Sequence, residues 1–155
     1  MTPREGAVSV REGDELPQLE IPVTRTLIVS GALASRDFQD VHHDAEAARE
    51  KGSPDIFMNI LTTNGLVGRY VTAWAGPHAL LRKVAIRLGA PNHPGDTMLL
   101  SGRVTALTPP APDAPEDEGA TAEIAVRGTN RLGNHVTGTV TVTLRTAAGR
   151  KEGPA

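Results

Sequence analysis

The chain contains no cysteine. That absence excludes a disulfide scaffold, a thiolate zinc site and a cysteine nucleophile, and leaves oxygen and imidazole groups to carry any chemistry. Aromatic residues are scarce: Phe38, Phe57, Tyr70 and Trp74 are the whole complement, and all fall between positions 38 and 74. There is no excess of positive charge. A net charge of -2 and a pI near 6.2 supply no field for phosphate backbones, and the aromatics do not interleave with Lys or Arg, so nucleic acid is not an expected ligand. Long apolar runs are missing too, since none approaches the roughly 20 residues that span a bilayer. The first twenty residues are polar, with Arg4, Glu5, Arg11, Glu12, Asp14 and Glu15, and lack the charged-then-apolar order of a secretory leader. The cytoplasm is the expected location. No G-x-S-x-G, P-loop or G-x-G-x-x-G occurs, which leaves serine hydrolase, NTPase and dinucleotide readings without an anchor.

What is present suits one globular domain: 155 residues, 39% hydrophobic and 22% charged, enough to bury a single core. Residues 1–18 are expected to be a flexible lead-in. Alternation of Val23, Arg25, Leu27 and Val29 with Thr24, Thr26, Ile28 and Ser30 predicts a first strand over residues 19–30. Asp44 as N-cap and Gly52 as C-cap bound a short predicted helix. Ser53-Pro54-Asp55 carries helix-start chemistry, so a long helix is expected to begin there and run to Trp74. Apolar residues on nearly its whole circumference predict burial all round, and Gly65 and Gly68 predict close approach of a neighbouring backbone.

From Gly76 the period becomes two. Leu80, Val84, Ile86 and Leu88 share a face, as do Met98, Leu100, Val104 and Ala106, then Ala122, Ile124 and Val126, then Val136, Val140, Val142 and Leu144. Four strands follow, the last two joined through Arg131-Leu132-Gly133-Asn134, with the Pro- and acid-rich residues 109–118 as a solvated loop and residues 147–155 as a frayed tail. Consecutive strands without helices between them imply an antiparallel sheet. The expected class is α+β: a single hotdog domain over residues 19–146, with about five strands wrapped around a long central helix.

Two segments carry a family resemblance. Asp37-Phe38-Gln39-Asp40-Val41-His42-His43-Asp44 resembles the D-x-N-P-x-H-x-D motif of MaoC-like (R)-specific enoyl-CoA hydratases. Arg87-Leu88-Gly89-Ala90-Pro91-Asn92-His93-Pro94-Gly95-Asp96-Thr97 resembles that family's Pro-x-x-Pro-Gly-Asp-Thr strand connection. The runs at residues 34–44, 55–61 and 69–77 are similar to the small MaoC-like subunit of the actinobacterial hydratases of cholesterol side-chain degradation. The resemblance implies a heteromeric hydratase in which this chain supplies the catalytic Asp and His. It also implies a partner with a second MaoC-like domain and a DUF35 domain, itself associated with a thiolase-like aldolase. The implied substrate is a trans-2-enoyl-CoA with a steroid acyl part, so that CoA enters as substrate and no separate cofactor is needed.

Hydration of such a thioester requires a base for water, an acid for the α carbon and donors for the enolate oxygen. The resemblance assigns Asp37 and His42 as the acid/base pair. The start of the long helix, at Met58, Asn59 and Ile60, offers N–H groups to the thioester oxygen. Relatives carry His-Gly where Met58-Asn59 stands, and Asn-Pro where Gln39-Asp40 stands. Arg82, Lys83 and Arg87 are the candidates for the CoA phosphates. His43 is expected to be solvated and Asp44 to cap a helix; these adjacent residues do not suit a metal site, and none is expected. Two other readings of the same fold are a noncatalytic partner subunit and an acyl-CoA thioesterase.

Overall fold

Period-two alternation gives the sheet, as the four later strands promised. The computed structural model describes residues 10–115 and 118–145. Its elements are β1 (Glu15–Pro22), α1 (Arg25–Ala34), a 3-10 turn at Asp40–His42, α2 (Ala45–Glu50), α3 (Ile60–Ala75), β2 (Leu80–Leu88), β3 (Thr97–Thr108), β4 (Glu118–Asn130) and β5 (Gly133–Arg145). The five strands form one sheet in the order β1-β3-β4-β5-β2, antiparallel throughout. On β4, Ala122, Ile124 and Val126 are buried while Glu123, Ala125 and Arg127 are exposed, so one face of the sheet meets the core. Val67, Tyr70 and Val71 of α3 lie in that core with Met98, Leu100, Ile124, Val136, Val140 and Val142, all fully buried. The antiparallel sheet and its long helix are the expected hotdog architecture.

Five expectations change. The residues predicted as one strand over 19–30 divide between β1 and α1. Thr24 accepts a hydrogen bond from the Leu27 N–H at 3.0 Å and starts a helix that buries Ile28 and Ala32. A cap and a tertiary contact thus override the strand propensity of the β-branched run. Order also begins before residue 19: β1 starts at Glu15, and the Gly13 N–H donates to the Val104 carbonyl at 2.8 Å. The predicted tail at 147–155 lies outside the described residues.

The long helix starts at Ile60 rather than at Ser53, because Asn59 caps it; Asp55 instead pairs with Arg25 of α1 at 2.7 Å. Nor is α3 buried all round, since Ile60 and Leu61 are about half exposed. The close approach belongs to Gly31 of α1, not to Gly65 or Gly68. A Cβ built on Gly31 lies 2.2 Å from Thr62 Oγ1, whereas one on Gly65 meets nothing within 4 Å and one on Gly68 makes an ordinary 3.4 Å contact. The short helix α2 matches its prediction, with Asp44 accepting from the N–H groups of Glu46 and Ala47, and Gly52 one residue beyond the C-cap Lys51.

Candidate active site

Asp37 is placed by the end of α1. After the C-cap Ser35, the Arg36 N–H donates to the Leu33 carbonyl at 3.1 Å and the Asp37 N–H to the Ala32 carbonyl at 2.9 Å. These are the paired bonds of a Schellman ending. Such an ending puts its next-to-last residue in the left-handed region, and here that residue is Arg36 at φ 57. The same ending closes α2, where Gly52 takes that position at φ 88. The backbone of Asp37 is therefore anchored to a helix although its side chain stands outside one.

His42 comes from the 3-10 turn and is buried. Its Nδ1 lies 2.7 Å from the Phe57 carbonyl, and a carbonyl only accepts, so Nδ1 carries a proton and donates it. The Phe57 ring packs edge-on against the imidazole at 5.1 Å. Nε2 then faces Asp37 Oδ2 at 3.3 Å. A ring nitrogen lone pair and a carboxylate oxygen at that distance repel unless a proton lies between them or a water beside the pair donates to both. The pair is thus built to share a proton or to hold one water.

Asn59 completes the arrangement. Its Oδ1 accepts from the Thr62 N–H at 2.9 Å, which caps α3. Its Nδ2 donates to Ser35 Oγ at 2.9 Å and to Asp37 Oδ2 at 3.0 Å. The bond from Asn59 is the main reason that the Asp37 carboxyl titrates below the usual carboxylate value; partial burial opposes it, and the Gln39 N–H and His42 assist. Asp37 is accordingly held as the anion.

The donors expected at Met58, Asn59 and Ile60 differ in what they already bond. The Met58 N–H is occupied by the Asn92 carbonyl at 3.0 Å, and the Asn59 carboxamide is spent on Asp37, Ser35 and Thr62. Neither is free for a thioester. The backbone N–H groups of Asn59 and Ile60 meet no acceptor among the described residues, as the start of a helix requires.

The connection at residues 91–96 braces this loop. His93 Nδ1 donates to the Ile56 carbonyl at 3.0 Å, and Asp96 Oδ2 accepts from the His93 N–H at 2.8 Å. With the bond from Met58, these fix the chain on both sides of Phe57, and hence the carbonyl that orients His42. Behind Asn59, His135 Nδ1 donates to the Ala90 carbonyl at 2.7 Å and its Nε2 accepts from Thr63 Oγ1 at 2.8 Å; burial lowers the His135 pKa from the usual 6.5.

The remaining candidates lie elsewhere. Arg82 of β2 donates through Nε to Thr143 Oγ1 and approaches Glu118 at 3.7 Å. Lys83 and Arg87 are exposed on the same edge strand. His43 is exposed, with Nε2 3.3 Å from the Phe38 carbonyl, and Asp44 caps α2. Among the described residues no group of three His, Cys, Asp or Glu converges as a metal centre would. The sequence assigns no role to Ser35, to the Phe57 carbonyl or to the His93 ring. Their roles depend on contacts 15 to 37 residues away. Only Asn59 carried a local signal, as an N-cap type three residues before Thr62.

No family model matches the chain. It is 50% identical over 133 residues, 86% of this chain and 95% of the relative, to the 3-oxo-4,17-pregnadiene-20-carboxyl-CoA hydratase beta subunit of Mycobacterium tuberculosis. Among solved structures it matches a chain of the ChsH1-ChsH2 complex from Mycobacterium tuberculosis at 48% identity and a TM-score of 0.77, over 89% of this chain and 100% of that one. The MaoC-like dehydratase from Rhodospirillum rubrum, at 22% identity and a TM-score of 0.73 over 90% of this chain and 95% of the other, has the same fold.

Proposed function

The chain belongs to the family of MaoC-like hydratases, and from that premise we propose that it is the catalytic subunit of a heteromeric hydratase acting on a trans-2-enoyl-CoA with a steroid acyl part. Asp37 and His42 are the acid/base pair. Water bound against both gives up a proton to one of the two as its oxygen bonds to the β carbon, and the electron pair of the double bond moves toward the thioester. The backbone N–H groups of Asn59 and Ile60 stabilise the enolate oxygen. A proton delivered to the α carbon completes the addition, so that one water is consumed and no other group leaves. CoA is held as part of the substrate, with Lys83 and Arg87, which form no ion pair among the described residues, as the cations for its phosphates and Arg82 shared with Glu118.

The observation that carries this reading is the convergence of Asp37 Oδ2 and His42 Nε2 at 3.3 Å, with both side chains fixed by other bonds. The partner is a second MaoC-like chain, bearing the DUF35 domain that engages a thiolase-like aldolase. A two-component complex of a relative supports the pairing. So does the exposed apolar surface beside the site, where Phe38 is 66% and Leu33 54% exposed, with Ile60 and Leu61 close behind. An intact pair weighs against a noncatalytic role for this chain.

The test is co-expression with the partner and assay of steroid and straight-chain enoyl-CoA thioesters. D37N and H42A are each expected to lose about 10²–10⁴-fold in hydration while the complex still assembles. Near wild-type activity in both variants would overturn the assignment, and release of free CoA in place of hydration would make the protein a thioesterase.

A further inference from the structure

We propose that Asn59 is a positioning residue that acts through Asp37, fixing which carboxylate oxygen faces His42 and keeping that carboxylate charged. This rests on the reading of Asp37 and His42 as the acid/base pair and deepens it.

The neighbours of the carboxamide fix its orientation. The Thr62 N–H can only donate, so the Asn59 atom 2.9 Å from it must be the oxygen. The nitrogen is thereby turned toward Ser35 and Asp37. It has two hydrogens and two acceptors, Ser35 Oγ at 2.9 Å and Asp37 Oδ2 at 3.0 Å, so the group is fully satisfied where it is 2% exposed. Flipping it would set its oxygen against a carboxylate and its nitrogen against an N–H, losing both bonds at once. One side chain therefore joins the start of α3 to the end of α1, with the carboxylate of Asp37 caught between the amide of Asn59 and the ring of His42.

The bond also selects an electronic state. It is made to the same oxygen, Oδ2, that faces His42 Nε2, and an N–H donor favours the ionised carboxyl over the protonated one. No charged group packed around Asp37 opposes this effect, which only partial burial works against: Ser35 from α1 and Asn59 from the cap of α3 are uncharged, the Gln39 N–H donates to Oδ1 at 3.4 Å, and His42 is the titratable group against it. A residue smaller than Asn would leave the carboxylate free to turn. A residue such as Asp would oppose its charge.

Variants that keep the cap separate this role from folding. Asp and Ser are N-cap residues comparable to Asn, so N59D and N59S should retain α3 and assemble with the partner. In the assembled complex, the acid limb of the kcat/KM profile of N59D should move up by about one pH unit or more, as expected for two carboxyls sharing a site. N59S should move in the same direction by less, and kcat should fall more than KM rises in both. If the Asn59 side chain instead held the thioester oxygen, activity would drop at every pH with the acid limb unmoved, and the proposal would be wrong. A second measurement needs no turnover. The carbon-13 carboxyl resonance of Asp37, identified by its loss in D37N, should titrate higher in both variants than in wild type. An unchanged titration overturns the proposal, whereas an inactive wild-type complex with a shifted titration would overturn only the hydratase reading.

Discussion

Replacing Gly31 by Ala tests whether the contact between α1 and α3 sets the site. Helix propensity alone favours the change by about 1 kcal/mol, since Gly31 lies inside α1. The contact opposes it. The new Cβ would stand 2.2 Å from Thr62 Oγ1, 2.8 Å from its Cγ2 and 3.1 Å from its Cβ. Rotating Thr62 can relieve the first two distances but not the third, so the helices must separate. Overpacking of this kind costs about 1–3 kcal/mol. With so severe an overlap the upper end applies, and the net loss is roughly 2 kcal/mol, or about 4–8 °C in Tm for a chain of this size.

The relief is equally specific. Thr62 Oγ1 is buried without a hydrogen-bond partner among the described residues, so T62A removes the two nearest atoms, Oγ1 and Cγ2, and leaves no orphaned partner; the Cβ at 3.1 Å remains, and the relief is partial. The double variant G31A/T62A should recover about 1 kcal/mol or more beyond additivity. Because Asp37 hangs from the end of α1 and Asn59 from the start of α3, G31A should also lower hydration per folded complex. Thermal melts of the four proteins, with activity normalised to folded protein, form the assay. A Tm for G31A equal to or above wild type, or additive behaviour in the double variant, would show that the Gly31–Thr62 contact does not hold the two helices in place.

Other outcomes follow from single features. Arg36 stands in the left-handed region where a side chain costs roughly 1 kcal/mol, so R36G should raise stability by about 0.5–1 kcal/mol, read as a higher Tm; G52A, at the matching position of α2, should lower it. Burial lowers the pKa of His135 from 6.5, so the unfolded chain binds the proton more readily. The stability this residue contributes is complete above pH 6.5 and is lost as pH falls through the folded value. A plot of Tm against pH should therefore slope downward toward acid below that point in wild type, and H135Q should lose this part of the slope whatever its absolute Tm.

The sheet was legible because its signal is local and redundant: four strands each repeat the same alternation, and one misplaced residue does not erase it. The start of the fold was harder. Residues 23–29 alternate as a strand does and are rich in β-branched side chains, yet Thr24 caps a helix and Gly31 lets that helix press on Thr62. Only the second of those facts requires the third dimension, and it is the decisive one. The same divide runs through the site. Asp37 and His42 were legible through a family motif. Their orientation was not, because it depends on Asn59, 22 residues from Asp37, and on a Phe57 carbonyl 15 residues from His42. No residue type marks a carbonyl for such a task. The Gly65 and Gly68 expectation failed for a related reason, since a glycine in a helix signals possible contact without saying what stands opposite.

The side-chain bonds that orient Asp37 and His42 all come from residues 35–59 of one chain, whereas β1 meets the sheet only through β3, far along the sequence. Global stability and catalytic quality are therefore separable properties. A weakened β1–β3 or β4–β5 pairing should reduce the fraction of molecules that are folded while leaving each folded molecule as competent as before. Natural variation in the outer strands is then free to tune abundance and heat tolerance, whereas drift within residues 31–62, or in the brace at residues 91–96, alters turnover.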